Sequence, residues 1–317
     1  MRTPLCDLLG IEHPIVQAPM GGAAVPRLAA AVSNAGALGT LALSWSDDPA
    51  AELRETRELT DKPIGGNFGL QLDQHARLDA ALDAGLRIVS LFWGDPSPHV
   101  GRIHDAGGLV LHTVGSAEEA KRVAAAGVDV VVAQGWDAGG HVWGRVGTLS
   151  LVPAVVDAVA PVPVIAAGGI GDARGVAAVL ALGAQAAWVG TRFLLAEEAP
   201  IHESYRQRLI GADETEALWF ENLYDGGWPD APHRALRNST SDAWEAAGRP
   251  PSGSRPGEGE AVATRPNGST VARYTSSTPT VGLDGDVDAL SLWAGQSVAL
   301  ATRVQPAAEI VRELVSP

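Results

Sequence analysis

The chain has 317 residues, 46% of them hydrophobic, and a formal net charge of −14 from 23 basic and 37 acidic side chains. That balance argues against nucleic acid or an anionic membrane as a partner. No apolar run reaches the roughly 18 to 20 residues that a membrane-spanning helix needs. Cys6 is the only cysteine, which excludes internal disulfides and Cys-rich metal or iron–sulfur sites. No metal site is expected. Lysine occurs only at Lys62 and Lys121, before a strand and within a helix, so Schiff-base chemistry is not expected. The N-terminal stretch lacks the basic, apolar and small-residue order of a secretory leader, and a cytoplasmic location is the expectation.

Residues 15–20 form the first predicted strand, and a helix over 25–34 ends at Gly36. Strand two spans 38–43, followed by a helix over 48–60. Strand three, 64–70, carries Asn67 among Gly65, Gly66 and Gly69, and a helix over 73–84 stops at Gly85. Strand four, 88–94, runs into Asp95 and Pro96. Strand five spans 109–114, and the helix over 116–126 opens with a Ser116/Glu119 capping box. Strand six, 129–134, breaks into the glycine loop A133-QGWDAGG-H141. A helix over 149–159 leads to strand seven, 162–167, which runs into Gly168 and Gly169. Asp172 caps a helix ending at Gly183, and strand eight, 185–189, precedes Gly190 and Thr191. Eight strands alternating with helices imply an α/β fold, a TIM (β/α)8 barrel; an open doubly wound sheet is the alternative.

After Leu195 the alternation breaks. Helices are expected over 198–210 and 214–223, then a Gly-, Pro-, Ser- and Arg-rich stretch over 225–280, of loop or disordered composition at 248–259. Helical signals return over 287–300 and 306–315. The expected organisation is a barrel of residues 1–200 with 286–317, interrupted after strand eight by a helical and irregular lid-like insertion, 201–285.

Barrel enzymes place their chemistry where strands end. Those positions hold Ala18, Met20 and Gly21, then Asn67, Trp93 and Gln134. Gly139, Gly140 and His141 follow, then Gly168 with Gly169, and Gly190 with Thr191. The two glycine turns offer backbone N–H groups and a hydroxyl to a phosphate without needing lysine. Asn67 and Gln134 both donate and accept, which suits a heteroaromatic edge. Phosphate turns, amides and an apolar first strand describe an FMN site. Each residue also has a plainer reading: Gly168–Gly169 as a tight turn, Asn67 and Gln134 satisfying local backbone, His141 as a structural loop histidine. His112 reads as a satisfied histidine inside the barrel. His13, His75, His99, His104, His202 and His233 show no converging partners. Most of the tryptophans read as packing or pocket walls.

PIVQAPMGG, GGNFGL, AQGWDAGGH, PVIAAGGI, WVGTRFL and SLWAGQS occur in the order seen in nitronate monooxygenases, and the resemblance spans Pro14 to about Val315. It implies flavin contacts at Met20, Asn67, Gln134, Gly139, Gly169 and residues 188–191, and His141 as the active-site histidine. The SLWAGQS segment, with Gly295 and Gln296, resembles the family's C-terminal return towards the flavin. Asp137 stands where the family commonly has Glu. Trp143 is bulkier than the residue expected two places after the histidine. The reaction implied is oxidation of an alkyl nitronate by O2, with FMN, to a carbonyl compound and nitrite. His141 would bind the nitro oxygens as a cation or take an α-proton, and Met20, Trp93 and Trp143 would wall the substrate. The rival enzyme is an NAD(P)H-dependent reductase of an activated double bond; the non-enzyme rival is a flavin- or phosphate-binding barrel. Small-molecule substrate and O2 are the expected partners, and a homodimer stays open.

Overall fold

The computed structural model describes residues 1–316. A short helix, α1 (Pro4–Leu9), precedes β1 (Ile15–Gln17), α2 (Pro26–Asn34), β2 (Gly39–Ala42), α3 (Pro49–Leu59), β3 (Ile64–Gly69) and α4 (His75–Asp83). Then come β4 (Ile88–Phe92), α5 (Ser97–Asp105), β5 (Leu109–Val114), α6 (Ala117–Ala125), β6 (Val130–Gln134) and the two-residue β7 (Gly140–His141). The barrel ends with α7 (Thr148–Val159), β8 (Val164–Ala167), α8 (Ala173–Ala181), β9 (Ala186–Val189) and α9 (Thr191–Leu194).

Eight parallel strands follow the order β1-β9-β8-β6-β5-β4-β3-β2, and a parallel bridge from Val16 to Leu38 closes the ring. The open-sheet alternative is thereby excluded. Gln17 seals the seam: its side-chain oxygen accepts from the Thr40 N–H at 3.0 Å and its amide nitrogen donates to the Thr40 carbonyl at 3.2 Å. An amide side chain here stands in for a missing strand neighbour.

Side-chain alternation divides the core in two. Val16, Leu38, Leu111, Val130, Val132 and Ile165 fill the barrel, and Leu5, Cys6 and Leu9 of α1 pack against them. Val110, Val114, Val131 and Val164 face the helix layer. His112 shares the parity of Val110 and Val114, so it lies outside the barrel wall, not inside it. Its Nδ1 is buried without a partner, so the reading of a satisfied interior histidine is corrected on both counts.

Beyond α9 the chain forms α10 (Glu203–Gly211), β10 (Ala217–Phe220), β11 (His233–Leu236), α11 (Ser239–Ala246), β12 (Ala261–Thr264), β13 (Thr270–Ala272) and β14 (Asp284–Gly285), then α12 (Ala307–Val315). The helix expected over 214–223 is a strand. Four of its residues pair antiparallel with β11, and this long-range pairing overrides local helix propensity. The helix expected over 287–300 reduces to two single 3-10 turns, Val287–Ala289 and Val298–Leu300. Residues 248–259 are tied down by Arg255, which donates to the Leu223 carbonyl at 2.9 Å and to Asp225 at 2.8 Å and covers the Tyr274 ring at 4.3 Å.

Candidate active site

A cavity of about 610 Å³ opens at the C-terminal ends of the barrel strands. Ala18, Met20, Gly21, Asn67, Gln134, Gly139, Gly140, Gly168, Gly169, Gly190 and Thr191 all line it, with His141. Two glycines have a clear steric reason. A Cβ on Gly139 would sit 2.4 Å from the Gly295 nitrogen and 2.5 Å from the Ala294 carbonyl carbon, because the loop and the C-terminal return cross backbone to backbone there. Gly168 has φ +105°, a region open to glycine, and a Cβ would meet the Gly135 carbonyl at 3.0 Å.

Three expectations are corrected. Gln296 does not line the cavity; its N–H donates to the Asp137 carbonyl at 3.0 Å, while Gly295 and Ser297 face the space. Trp93 and Trp143 line an adjoining cavity instead. The Trp143 indole N–H donates to Glu119 at 3.1 Å, which draws the ring outward. The wall beside the histidine belongs to Trp228, whose ring centroid is 3.9 Å from that of His141, with Trp293 at 5.4 Å.

His141 is held on β7, which pairs antiparallel with β11 and places His233 opposite His141. His233 accepts the Tyr224 N–H at Nε2, 3.1 Å, and is 2.9 Å from the Ala231 carbonyl at Nδ1. That arrangement fixes it as a neutral imidazole, since one nitrogen must accept and the other donate. Burial holds the His233 pKa down at about 4. Burial, with His233 beside it, pushes the His141 pKa down to about 3. Burial thus favours the neutral form of His141. Its Nε2 lies 3.2 Å from the Ser276 hydroxyl, and Ser276 also lines the cavity.

The loop before His141 is positioned by Arg234, which is 2% exposed. Its guanidinium donates to the carbonyls of Trp136 at 2.8 Å, Ala138 at 3.2 Å and Ala217 at 2.8 Å, and lies over the Trp136 ring at 5.3 Å. Asp137 accepts the Thr148 N–H at 2.7 Å at the start of α7. The amides are tied through their nitrogens: Asn67 donates to the Ser90 hydroxyl at 3.0 Å and Gln134 to the His141 carbonyl at 3.1 Å. Arg234, His233, Trp228 and Ser276 escape sequence reasoning because each lies 87 or more positions from its loop partner. Residues 233–236 read His-Arg-Ala-Leu, two polar then two apolar, so no period-2 pattern marks the strand that delivers two of them.

A family model described as nitronate monooxygenase matches residues 2–81 and 68–317. The chain belongs to the nitronate monooxygenase family. It is a flavin oxidoreductase, as that family is flavin-dependent. It is 35% identical over 365 residues to a nitronate monooxygenase of Paraburkholderia phytofirmans, covering 99% of this chain and 94% of that one. It is also 39% identical over 256 residues, 78% of this chain and 70% of the other, to a hydroxy-methyl-oxo-octahydro-indene-carboxyl-CoA dehydrogenase of Mycobacterium tuberculosis. Among solved structures, a nitroalkane oxidase from Streptomyces ansochromogenes superposes with TM-score 0.74 at 31% identity, covering 98% of this chain and 96% of that one. FabK from Thermotoga maritima gives TM-score 0.79 at 29% identity, with 99% and 95% covered. Among the described residues no helix is long and apolar enough to cross a membrane.

Proposed function

We propose that the cavity holds FMN and oxidises alkyl nitronates with O2 to carbonyl compounds and nitrite. The observation that carries this reading is a neutral His141 paired with Ser276 inside an aromatic pocket, beside two half-satisfied amides. The donor set fits the cofactor. The Asn67 and Gln134 nitrogens are occupied by protein acceptors, which leaves their oxygens for the N–H edge of a flavin ring. No acceptor among the described residues takes the backbone N–H groups of Gly168, Gly169 or Ile170, and all three line the cavity. These groups suit a phosphate. When bound there, flavin would supply the redox chemistry between substrate and dioxygen.

The protein's own residues then orient the substrate. A neutral imidazole can donate an N–H to a nitronate oxygen without trapping a counter-charge, and the Ser276 hydroxyl offers a second donor. Trp228 and Trp293 exclude water around the reacting carbon, and Met20 lies on the cavity wall. We take residues 201–285, which bring Trp228 and Ser276, as the lid-like insertion on the barrel of 1–200 and 286–317. A His141→Gln variant is expected to keep FMN absorbance and lose at least about 10²-fold in nitrite release. Full turnover with FMN bound would overturn the assignment.

A second reading, an NAD(P)H-dependent reductase of an activated double bond, draws support from the carboxyl-CoA dehydrogenase relative. Arg265, the one Lys or Arg lining the cavity, suits an anionic carrier. Anaerobic mixing with NADH or NADPH separates the two. Rapid bleaching of the flavin favours the reductase, and an unchanged spectrum favours nitronate oxidation.

A further inference from the structure

A second cavity, of about 700 Å³, lies outside the barrel wall over the tops of β4 and β5, beside α6. Two of its walls are indoles, Trp93 and Trp143, which meet edge to face with centroids 4.6 Å apart and planes at 72°. Trp93 is a non-glycine residue at φ +65°, a conformation that costs energy and persists only where its surroundings hold it. Glu119 anchors this corner: its carboxylate accepts the Trp143 indole N–H at 3.1 Å and the Gly115 N–H at 2.6 Å. The group is therefore rigid. Asp95 and Asp230 join Glu119 on the lining against a single guanidinium, Arg122. Asp230 makes no ion pair among the described residues.

The wall also contains His112, 3% exposed, whose Nδ1 is buried without a hydrogen-bond partner. His112 thus brings a buried, uncharged ring edge to the wall, and the polar atoms open to a ligand are the carboxylates. Aromatic rings attract cations through their quadrupole, tryptophan most of all, and a carboxylate nearby adds its own attraction. The chemistry of the lining selects charge and size together: aromatic surface for a methylene or methyl shell, carboxylates for a positive head.

We propose that this second cavity is a binding site for a small organic cation, of ammonium type, separate from the flavin cavity. The two spaces are divided by an aromatic partition, in which Trp93 stands 5.2 Å from Trp228 and 6.3 Å from His141. Choline titration reads this site whether or not the first cavity oxidises nitronates; the competition arm alone rests on that reading.

The test is calorimetric titration of the flavin-loaded full chain with choline, and with 3,3-dimethylbutan-1-ol as its uncharged isostere. Saturable binding of choline is expected, with no saturable binding of the alcohol. An Asp230→Asn/Glu119→Gln variant that retains flavin is expected to bind choline at least about tenfold more weakly. Choline is expected to leave the KM for propylnitronate unchanged. Four results would each overturn the proposal: no saturable choline binding; equal binding of the alcohol; full binding by the variant; or competition with propylnitronate, which would make the space part of the flavin cavity. Binding of acetate in preference to choline would do the same, by assigning the cavity to Arg122 and His112.

Discussion

Replacing Arg234 tests whether the histidine loop is held from behind. The guanidinium is buried and spans three carbonyls, those of Trp136, Ala138 and Ala217, on two different segments. Its own pKa is pushed down by burial, with Asp137 acting in the opposite sense. Arg234→Met keeps much of the volume but leaves three carbonyls without their donor. Each orphaned polar group costs about 1–3 kcal/mol. Removing a buried charge gives part of that back, and water entering the space gives back more. A net loss of about 3 kcal/mol is the expectation. It should appear in urea unfolding as a lower midpoint at constant slope. Arg234→Lys should recover little, since one ammonium cannot reproduce a planar fork that reaches three acceptors. The nitrite-release kcat should fall together with stability, because Trp136–Ala138 leads directly into Gly139–His141. An unfolding free energy within about 0.5 kcal/mol of the parent's, or full rescue by lysine, would refute the positioning role.

Further outcomes follow from the same geometry. His141, His233 and His112 have folded pKa values of about 3, 4 and 4, below the ordinary 6.5. The unfolded chain thus binds protons first as pH falls through 6.5, so stability is full above 6.5 and is lost from there down towards about 4. The loss is about 2 kcal/mol per histidine between pH 7 and 5, and urea midpoints across that range will show it; a flat profile contradicts the buried neutral state. Trp228→Ala uncovers His141 and should let its pKa climb towards 6.5, adding an inflection above about pH 5 to the turnover profile that the parent lacks. Gly139→Ala forces a Cβ into the Gly295 and Ala294 backbone and should yield protein depleted of flavin, read from the visible absorbance per mole of chain.

Much of the barrel is visible in the amino-acid order because its signals are local. Val130–Val132, Val162–Ala167 and the glycines after each strand mark buried strands and their ends within a few residues. The strand-top positions share one cavity for the same reason, since one rule of barrel geometry collects them. Local signals fail where pairing is distant. Ala217–Phe220 is composed like a helix but lies in a sheet, and its partner begins at His233. Trp228 and Ser276 reach His141 from 87 and 135 positions away, so no spacing rule could join them to it. Trp93 and Trp143 fail differently: they lie close to the site, but Trp143 bonded to the Glu119 carboxylate and Trp93 with its left-handed backbone line the adjoining cavity. His112 shows that strand parity must be anchored on known neighbours before a face is assigned.

The most direct test of the nitronate reading is oxygen uptake and nitrite release by the FMN-loaded protein with propylnitronate, in the absence of any nicotinamide cofactor. Uptake of O2 accompanied by nitrite and propanal, and lost in His141→Gln, is the expected result. No nitrite from propylnitronate, together with rapid anaerobic bleaching of the flavin by NADH or NADPH, would contradict it.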